Sequence, residues 1–127
     1  MIDWGTVTYF SREEFFRHKD VEPAEDLVRM LDDVREIATL NAGRDVPVII
    51  TSGIRPPDKD TTGDSTKSAH TSGHAVDIRA RASRDRFYIL GAIYAVGFKR
   101  IGIYDKHLHV DTSPNHDSDV CWWGKSK

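Results

Sequence analysis

Two short stretches that alternate polar and apolar residues most constrain how this chain can fold. Residues 75–79 and 107–111 each predict a half-buried strand, because successive side chains of a strand point to opposite faces. The apolar residues of both stretches are therefore expected in a core, and the polar residues on the other face. That polar face carries Asp77, His107, His109 and Asp111. Because His70 lies in the approach to the first stretch, the sequence predicts one cleft that gathers imidazoles and carboxylates.

The composition narrows the class of protein. The chain has 127 residues, of which 39% are hydrophobic and 30% are charged, as in ordinary soluble globular proteins, so one domain over residues 1–127 is expected. No apolar run approaches the roughly 20 residues of a spanning helix, and no membrane insertion is expected. A net charge of −2 with both signs interspersed argues against nucleic acid as the main partner. The single Cys121 excludes an internal disulfide.

Hydrophobic periodicity predicts two main helices and a set of short strands. An apolar stripe at three- and four-residue spacing predicts a helix with Pro23 in its first turn and Gly43 as its stop. Ser83 is expected to cap a second helix that Gly97 ends. The other predicted elements are a short helix over 12–18, strands over 46–52 and 75–80, a long functional loop over 53–67, a hairpin over 100–112 with its turn at 105–106, and a docked apolar cluster at 120–123.

These elements predict an α+β domain with a small, mainly antiparallel sheet. Helices are expected on one side of the sheet and the cleft on the other. A hydrolytic zinc site needs three protein ligands and one open position, and His70, Asp77 and His109 offer such a set. The alternative is a loop histidine, a strand-edge carboxylate and a sheet histidine that bind no metal, and the pattern alone leaves both open. A helical His-Glu-x-x-His motif is absent from the sequence, which excludes that arrangement of zinc ligands.

Three motifs occur in a fixed order along the chain. They are Ile50-Thr51-Ser52-Gly53-Ile54-Arg55, Ser68-x-His70-x-x-Gly73-x-Ala75-x-Asp77 and His109-Val110-Asp111. In this order they resemble the zinc D-Ala-D-Ala carboxypeptidases, peptidase family M15, and most closely its small bacterial and phage-encoded branch. The resemblance runs from about the first long helix to Thr112. It implies a DD-peptidase/hedgehog-like zinc fold, a Zn²⁺ cofactor, and His70, Asp77 and His109 as the metal ligands.

The same resemblance implies roles for two residues on the substrate side. Arg55 is expected to line the cleft, where its planar guanidinium binds a peptide carboxylate or stabilises the oxyanion. A surface arginine paired with a nearby acid is the alternative. Ser68 is expected at the substrate site, on the loop that holds His70. Within the second motif, Gly73 is expected to allow a positive φ or a close approach to the metal, and His74 is expected to be exposed.

The group that moves the proton is left open by the sequence. Amide hydrolysis needs a residue that takes a proton from the attacking water and returns it to the leaving amine. Many relatives carry Glu or Asp three residues before the last histidine ligand, and this chain has Lys106 there. His107 resembles a histidine that some relatives carry, so it is predicted to be catalytic, with Asp105 as a candidate base. Asp111 is predicted to orient an imidazole, with a strand-end cap as the alternative.

The resemblance implies a zinc metallopeptidase that cuts bonds at D-amino acids in peptidoglycan, as a D,D-carboxypeptidase or an endolysin-type endopeptidase. The expected partner is a peptidoglycan peptide, bound by a monomer. Residues 1–5 lack the basic and apolar regions of a secretory signal, so synthesis in the cytoplasm is expected, followed by phage-type release or incorporation into a virion. The alternatives are a non-catalytic zinc-binding module of a phage or cell-wall assembly, and a protein whose histidines bind no metal.

Overall fold

A computed structural model describes residues 2–15, 22–54, 69–70 and 72–126. Two α-helices and five strands are joined by loops, and two short 3-10 helices lie near the N-terminus. The helices are α1 (Glu25–Ala42) and α2 (Ser83–Val96), and the 3-10 helices are Trp4–Thr6 and Arg12–Phe15. The strands are β1 (Ile50–Ser52), β2 (Ala75–Arg79), β3 (Arg100–Ile103), β4 (His107–Asp111) and β5 (Val120–Trp123). The predicted α+β class is confirmed.

The five strands form one sheet in the order β1-β2-β4-β3-β5. All neighbours are antiparallel except β3 and β5, which are parallel. In the β3–β4 hairpin the Tyr104 amide donates to the carbonyl of His107 at 3.0 Å, which closes the predicted two-residue turn. The sheet is mainly antiparallel, as predicted, and its parallel edge strand β5 was expected only as a docked cluster.

The helices cover one face of the sheet and leave the other open. One continuous core joins the apolar stripe of α1, the buried side of α2 and the apolar side chains of β2 and β4. The residues of this core that are fully buried include Leu27, Leu31, Val34, Ile89, Ile93, Val76, Ile78, Leu108 and Val110. Because strand side chains alternate, the polar residues of β2 and β4 lie on the opposite face, away from the helices.

The two helices begin at other residues than the sequence predicts, α1 later and α2 one residue earlier. The amide of Ala24 donates to the carbonyl of Gly73 at 2.8 Å, and Ala24 is extended with ψ 135°. This contact with the loop before β2 keeps Pro23 outside α1 instead of in its first turn. At α2 the cap position is taken by Ala82, and Ser83, predicted as the cap, is the first helical residue.

The predicted ends of the helices are confirmed. Gly43 and Gly97 have φ of 69° and 102°, the left-handed conformation that glycine adopts without steric cost. The helix predicted over 12–18 is a 3-10 helix over Arg12–Phe15, and the rest of that prediction lies outside the described residues. None of the described helices is both long and apolar enough to cross a membrane.

The strand predicted over 46–52 is confirmed only at its end, over Ile50–Ser52. The amide of Val46 donates to Thr39 Oγ1 on α1 at 3.0 Å, and Pro47 has no N–H to donate. The segment therefore pairs with β2 only from Ile49 onward, where the carbonyl of Ile49 accepts a hydrogen bond from the amide of Arg79 at 2.9 Å. The strand predicted over 75–80 ends at Arg79.

The N-terminal segment fixes the end of β1 beside the open face. The carboxylate of Asp32 on α1 accepts hydrogen bonds from the amides of Thr8 at 2.9 Å and Tyr9 at 2.8 Å. Further along, Phe15 is fully buried, and its carbonyl accepts from the amide of Ile54 at 2.8 Å. The backbone that follows β1 is therefore held against the segment that α1 anchors.

Candidate metal centre

The pairing of β2 with β4 brings two of the predicted ligands side by side. Asp77 lies directly opposite His109 in the register of the two strands, and both side chains are on the open face. His70 comes from the loop before β2 and is buried. One ligand atom from each of the three residues lies within 4.8 Å of the others. The three residues predicted as ligands are thus gathered at one point.

A backbone carbonyl sets the orientation of His70. Its Nδ1 lies 2.9 Å from the carbonyl oxygen of Gly53, which can only accept, so Nδ1 carries the proton. Nε2 then carries the lone pair, and it lies 3.5 Å from Oδ1 of Asp77. An imidazole that donates from one nitrogen and offers the other to a shared point has the arrangement of a metal-ligating histidine.

His109 is held in the same way by a carboxylate. Its Nε2 lies 2.6 Å from Oδ2 of Asp111, and its Nδ1 lies 3.0 Å from Oδ1 of Asp77. Asp111 is buried and accepts further hydrogen bonds from Arg100 Nε at 2.6 Å and the Ser113 amide at 3.1 Å. Asp111 therefore has the geometry predicted for it, that of a residue that orients an imidazole.

The electrostatics of the centre favour a positive charge between these groups. Burial alone would raise the pKa of Asp77, but the hydrogen bond from His109 and the nearby imidazole of His70 outweigh it and hold that pKa well below its usual range. Burial would lower the pKa of His109, yet the hydrogen bonds to Asp111 and Asp77 outweigh it and raise that pKa. Two imidazole nitrogens and an ionised carboxylate suit a divalent cation of the zinc type.

The three residues lie in a cleft of about 560 Å³. His107 also lines this cleft, its ring stacked on Tyr104 with centroids 4.2 Å apart. Its Nδ1 lies 2.8 Å from Oγ of Ser126, and burial lowers the pKa of His107. Asp105 is exposed at the β3–β4 turn, where its carboxylate accepts from the Ser126 amide at 2.5 Å. Of the two predicted proton-transfer residues, His107 is the one that faces the cleft.

The other predicted site residues differ in how far the structure describes them. Arg55 and Ser68 lie outside the described residues. Gly73 has the expected positive φ of 80°, and its close neighbour is the backbone of Glu22, since a Cβ there would lie 2.5 Å from that carbonyl oxygen. His74 is partly buried, where exposure was expected, with Nδ1 2.9 Å from Oγ of Ser72.

A wall of the cleft comes from residues that the sequence reasoning did not assign to the site. Trp122 on β5 lies with its ring centroid 5.3 Å from that of His109. It occupies the space above Gly102, where a Cβ would lie 2.6 Å from the indole Nε1. A glycine inside a predicted strand is a signal of such a close approach, so Gly102 could have indicated that something covers the sheet beside His109.

The fold and the centre together define a class: an α+β domain whose open sheet face presents two histidines and an aspartate suited to a metal ion. The family described as Peptidase M15 matches residues 8–111, which include all three candidate ligands. The chain belongs to the peptidase M15 family. Peptidases of this family are generally zinc-dependent. No curated protein and no solved structure matches the chain.

An Asp111→Asn variant is expected to bind zinc about 10- to 100-fold more weakly than the wild type. The amide removes the charge that stabilises the Nε2–H of His109, and losses of this size follow removal of such an outer partner. Competition with a chelating dye measures the affinity. Asp117→Asn, an exposed change of the same kind, is expected to keep the wild-type affinity. Equal affinities for all three proteins would contradict the orienting role of Asp111.

Proposed function

We propose that the chain is a zinc metallopeptidase that hydrolyses peptide bonds at D-amino acids in bacterial peptidoglycan. It acts as a D,D-carboxypeptidase or as an endolysin-type endopeptidase. The observation that carries the proposal is the convergence of His70, Asp77 and His109 within 4.8 Å, with each imidazole engaged at its far nitrogen. Membership of the peptidase M15 family supports the same class of reaction.

The three residues would hold the metal, and His107 would move the proton. Zinc, when bound, polarises a scissile carbonyl and activates water for attack. Because the Ser126 hydroxyl engages Nδ1 of His107, Nε2 is the nitrogen left to exchange a proton with the substrate. The lowered pKa of His107, caused by burial, keeps the imidazole neutral near pH 7 and able to accept a proton. Asp105 is the second candidate base, and its carboxylate is engaged by Ser126.

The substrate side of the proposal rests on the resemblance of the three motifs. Arg55 would bind a peptide carboxylate or stabilise the oxyanion, and Ser68 would contribute to the same subsite. The partner would be a peptidoglycan peptide and not nucleic acid, in keeping with the net charge of −2. The protein would work as a monomer on the cell wall, after phage-type release or as a component of a virion.

Metal content and turnover test this function together. The purified chain is expected to contain one zinc ion and to cleave peptidoglycan fragments. A chelator should abolish the cleavage and added zinc should restore it, and the product masses identify the bond that is cut. Absence of stoichiometric zinc would reject the proposal.

A second candidate function is a zinc-binding module of a phage or cell-wall assembly without turnover. One observation favours it: Lys106 stands where many relatives carry an acid, and its side chain is exposed. Stoichiometric zinc with no cleavage of any fragment would favour this module over the peptidase. Cleavage that is lost on chelation would reject it.

A further inference from the structure

We propose that the cleft selects acidic peptides through a rim of four cationic side chains, and so binds a substrate carboxylate about two residues from the scissile bond. We call the four residues the basic rim: Arg79, Arg81, Lys106 and Lys125. The inference rests on the proposed function, since it names the class of peptide that the same cleft would take. None of the four is Arg55, which the resemblance implies as a substrate residue.

The rim residues reach one cleft from three parts of the chain. Arg79 and Arg81 come from the end of β2 and the residues that follow it, Lys106 from the β3–β4 turn, and Lys125 from the segment after β5. All four are exposed. Asp77 is the one carboxylate among the described residues that line the cleft, and both candidate histidine ligands contact it. Among the described residues of the cleft, the charge outside the metal centre is therefore positive.

The rim differs from the other cations of the described chain. None of its four residues forms an ion pair with a described residue. Elsewhere in the described chain, arginines and lysines pair with carboxylates; these are Arg12, Arg29, Arg35, Arg44, Lys99 and Arg100. The exceptions are Arg84, and Arg86, which donates to backbone carbonyls. A concentration of cations that have no ion-pair partner among the described residues attracts anionic ligands to the cleft and raises their local concentration.

The register of the sheet gives the spacing of the carboxylate. Arg79 follows Asp77 by two residues on the same strand and the same face, which corresponds to about 7 Å along β2. Across the sheet, Arg79 pairs with His107, so the rim begins beside the proposed proton-transfer residue. An extended peptide has the same rise per residue as a strand. A carboxylate that contacts the rim would therefore lie about two residues from the bond at the metal centre.

Two sources could supply this carboxylate, an acidic side chain and a free C-terminus, and a set of four peptides separates them. The peptides are Ala-Glu-Lys-D-Ala-D-Ala and its Gln counterpart, each as the free acid and as the C-terminal amide. Calorimetry measures their binding to zinc-loaded protein and to chelator-treated protein. Removal of the recognised carboxylate is expected to weaken binding about tenfold, less at high salt because the groups are exposed. If the Gln counterpart binds more weakly, the source is the acidic side chain. If the C-terminal amide binds more weakly, the source is the free C-terminus.

Two variants test whether the basic rim causes the preference for the peptide with the recognised carboxylate. In the double variant Arg81→Ala/Lys125→Ala, the ratio of affinities for the peptides with and without the recognised carboxylate is expected to fall to about twofold or less. The control Arg84→Ala removes a cation outside the cleft that has no ion pair with a described residue, and it should keep the full ratio of about tenfold. The mutated side chains are exposed, and circular dichroism checks that the fold is retained. Equal affinities of the wild type for all four peptides, or an unchanged preference in the double variant, would overturn the inference. If binding depends on the carboxylate but no peptide is cleaved, the proposed function is rejected and the inference about the basic rim stands.

Discussion

The His109→Ala variant is expected to lose both zinc binding and hydrolysis. His109 provides one of the three ligand atoms within 4.8 Å, and its ring also joins Asp77 to Asp111. Without the imidazole, one carboxylate and one histidine remain, too few for a catalytic zinc site. The loss of zinc affinity should exceed the roughly 100-fold effect of removing an outer partner. Hydrolysis of peptidoglycan fragments should fall below detection at the same zinc concentration.

Thermal unfolding gives a second measure that does not depend on turnover. Zinc at a hundred times its dissociation constant should stabilise the wild type by about 2.7 kcal/mol, because it binds the folded state. His109→Ala should show no such gain. The control is His74→Ala, which removes a histidine of the same motif whose Nδ1 contacts Ser72 and which does not belong to the candidate cluster. A variant at position 109 that keeps its zinc, or one at position 74 that loses it, would overturn the ligand set.

The parts of the fold that could be predicted are those with a local pattern. Alternation along 75–79 and 107–111 predicted both strands and the face that each side chain takes, because a strand with one buried face must alternate. For the same reason Asp77 and His109 were expected on one face. The two-residue turn of the hairpin was predicted, but Asp-Lys is a weaker turn signal than Asp-Gly and left the register open by one residue. Gly43 and Gly97 marked the helix ends because an αL residue is a local requirement.

The parts that could not be predicted depend on contacts between distant residues. Ala24 lies outside α1 because its amide binds the carbonyl of Gly73, and no pattern near Ala24 indicates that partner. Strand β5 pairs in parallel with β3, and a parallel pair has no connecting turn whose residues would reveal it. Cys121, which belongs to the apolar cluster predicted to dock at 120–123, is exposed on this edge strand.

In the candidate site, too, the residues in local motifs could be predicted and the contacts between distant residues could not. The ligand residues could be named because each lies in a short motif, and the strand pairing then brings them together. The surroundings of His107 could not be predicted, because Ser126, which contacts His107, belongs to the segment after β5. The same serine binds Asp105 through its amide. A residue near the C-terminus thus contacts both proton-transfer candidates, and no spacing within the hairpin indicates this contact.

The Gly53→Ala variant is expected to lower both the stability of the fold and its affinity for zinc. A Cβ at Gly53 would overlap the carbonyl oxygen of Phe15, which already accepts the amide of Ile54 at 2.8 Å. Both segments are buried backbone, so neither can move aside cheaply, and overpacking of this kind costs about 1–3 kcal/mol. The movement would also displace the Gly53 carbonyl that holds Nδ1 of His70, so zinc affinity should fall about 10- to 100-fold.

Denaturant unfolding of the zinc-free protein separates the two effects, and Gly91→Ala is the matched control. A Cβ at Gly91 meets no atom within 4 Å, and the residue lies inside α2, where alanine is favoured over glycine by about 0.5–1 kcal/mol. The same chemical change should therefore stabilise the protein at Gly91 and destabilise it at Gly53, with zinc affinity reduced only at Gly53. If Gly53→Ala lost stability but bound zinc as tightly as the wild type, His70 would be oriented by something other than this carbonyl. The Ser-Gly motif would then serve the packing of Phe15 and not the metal centre.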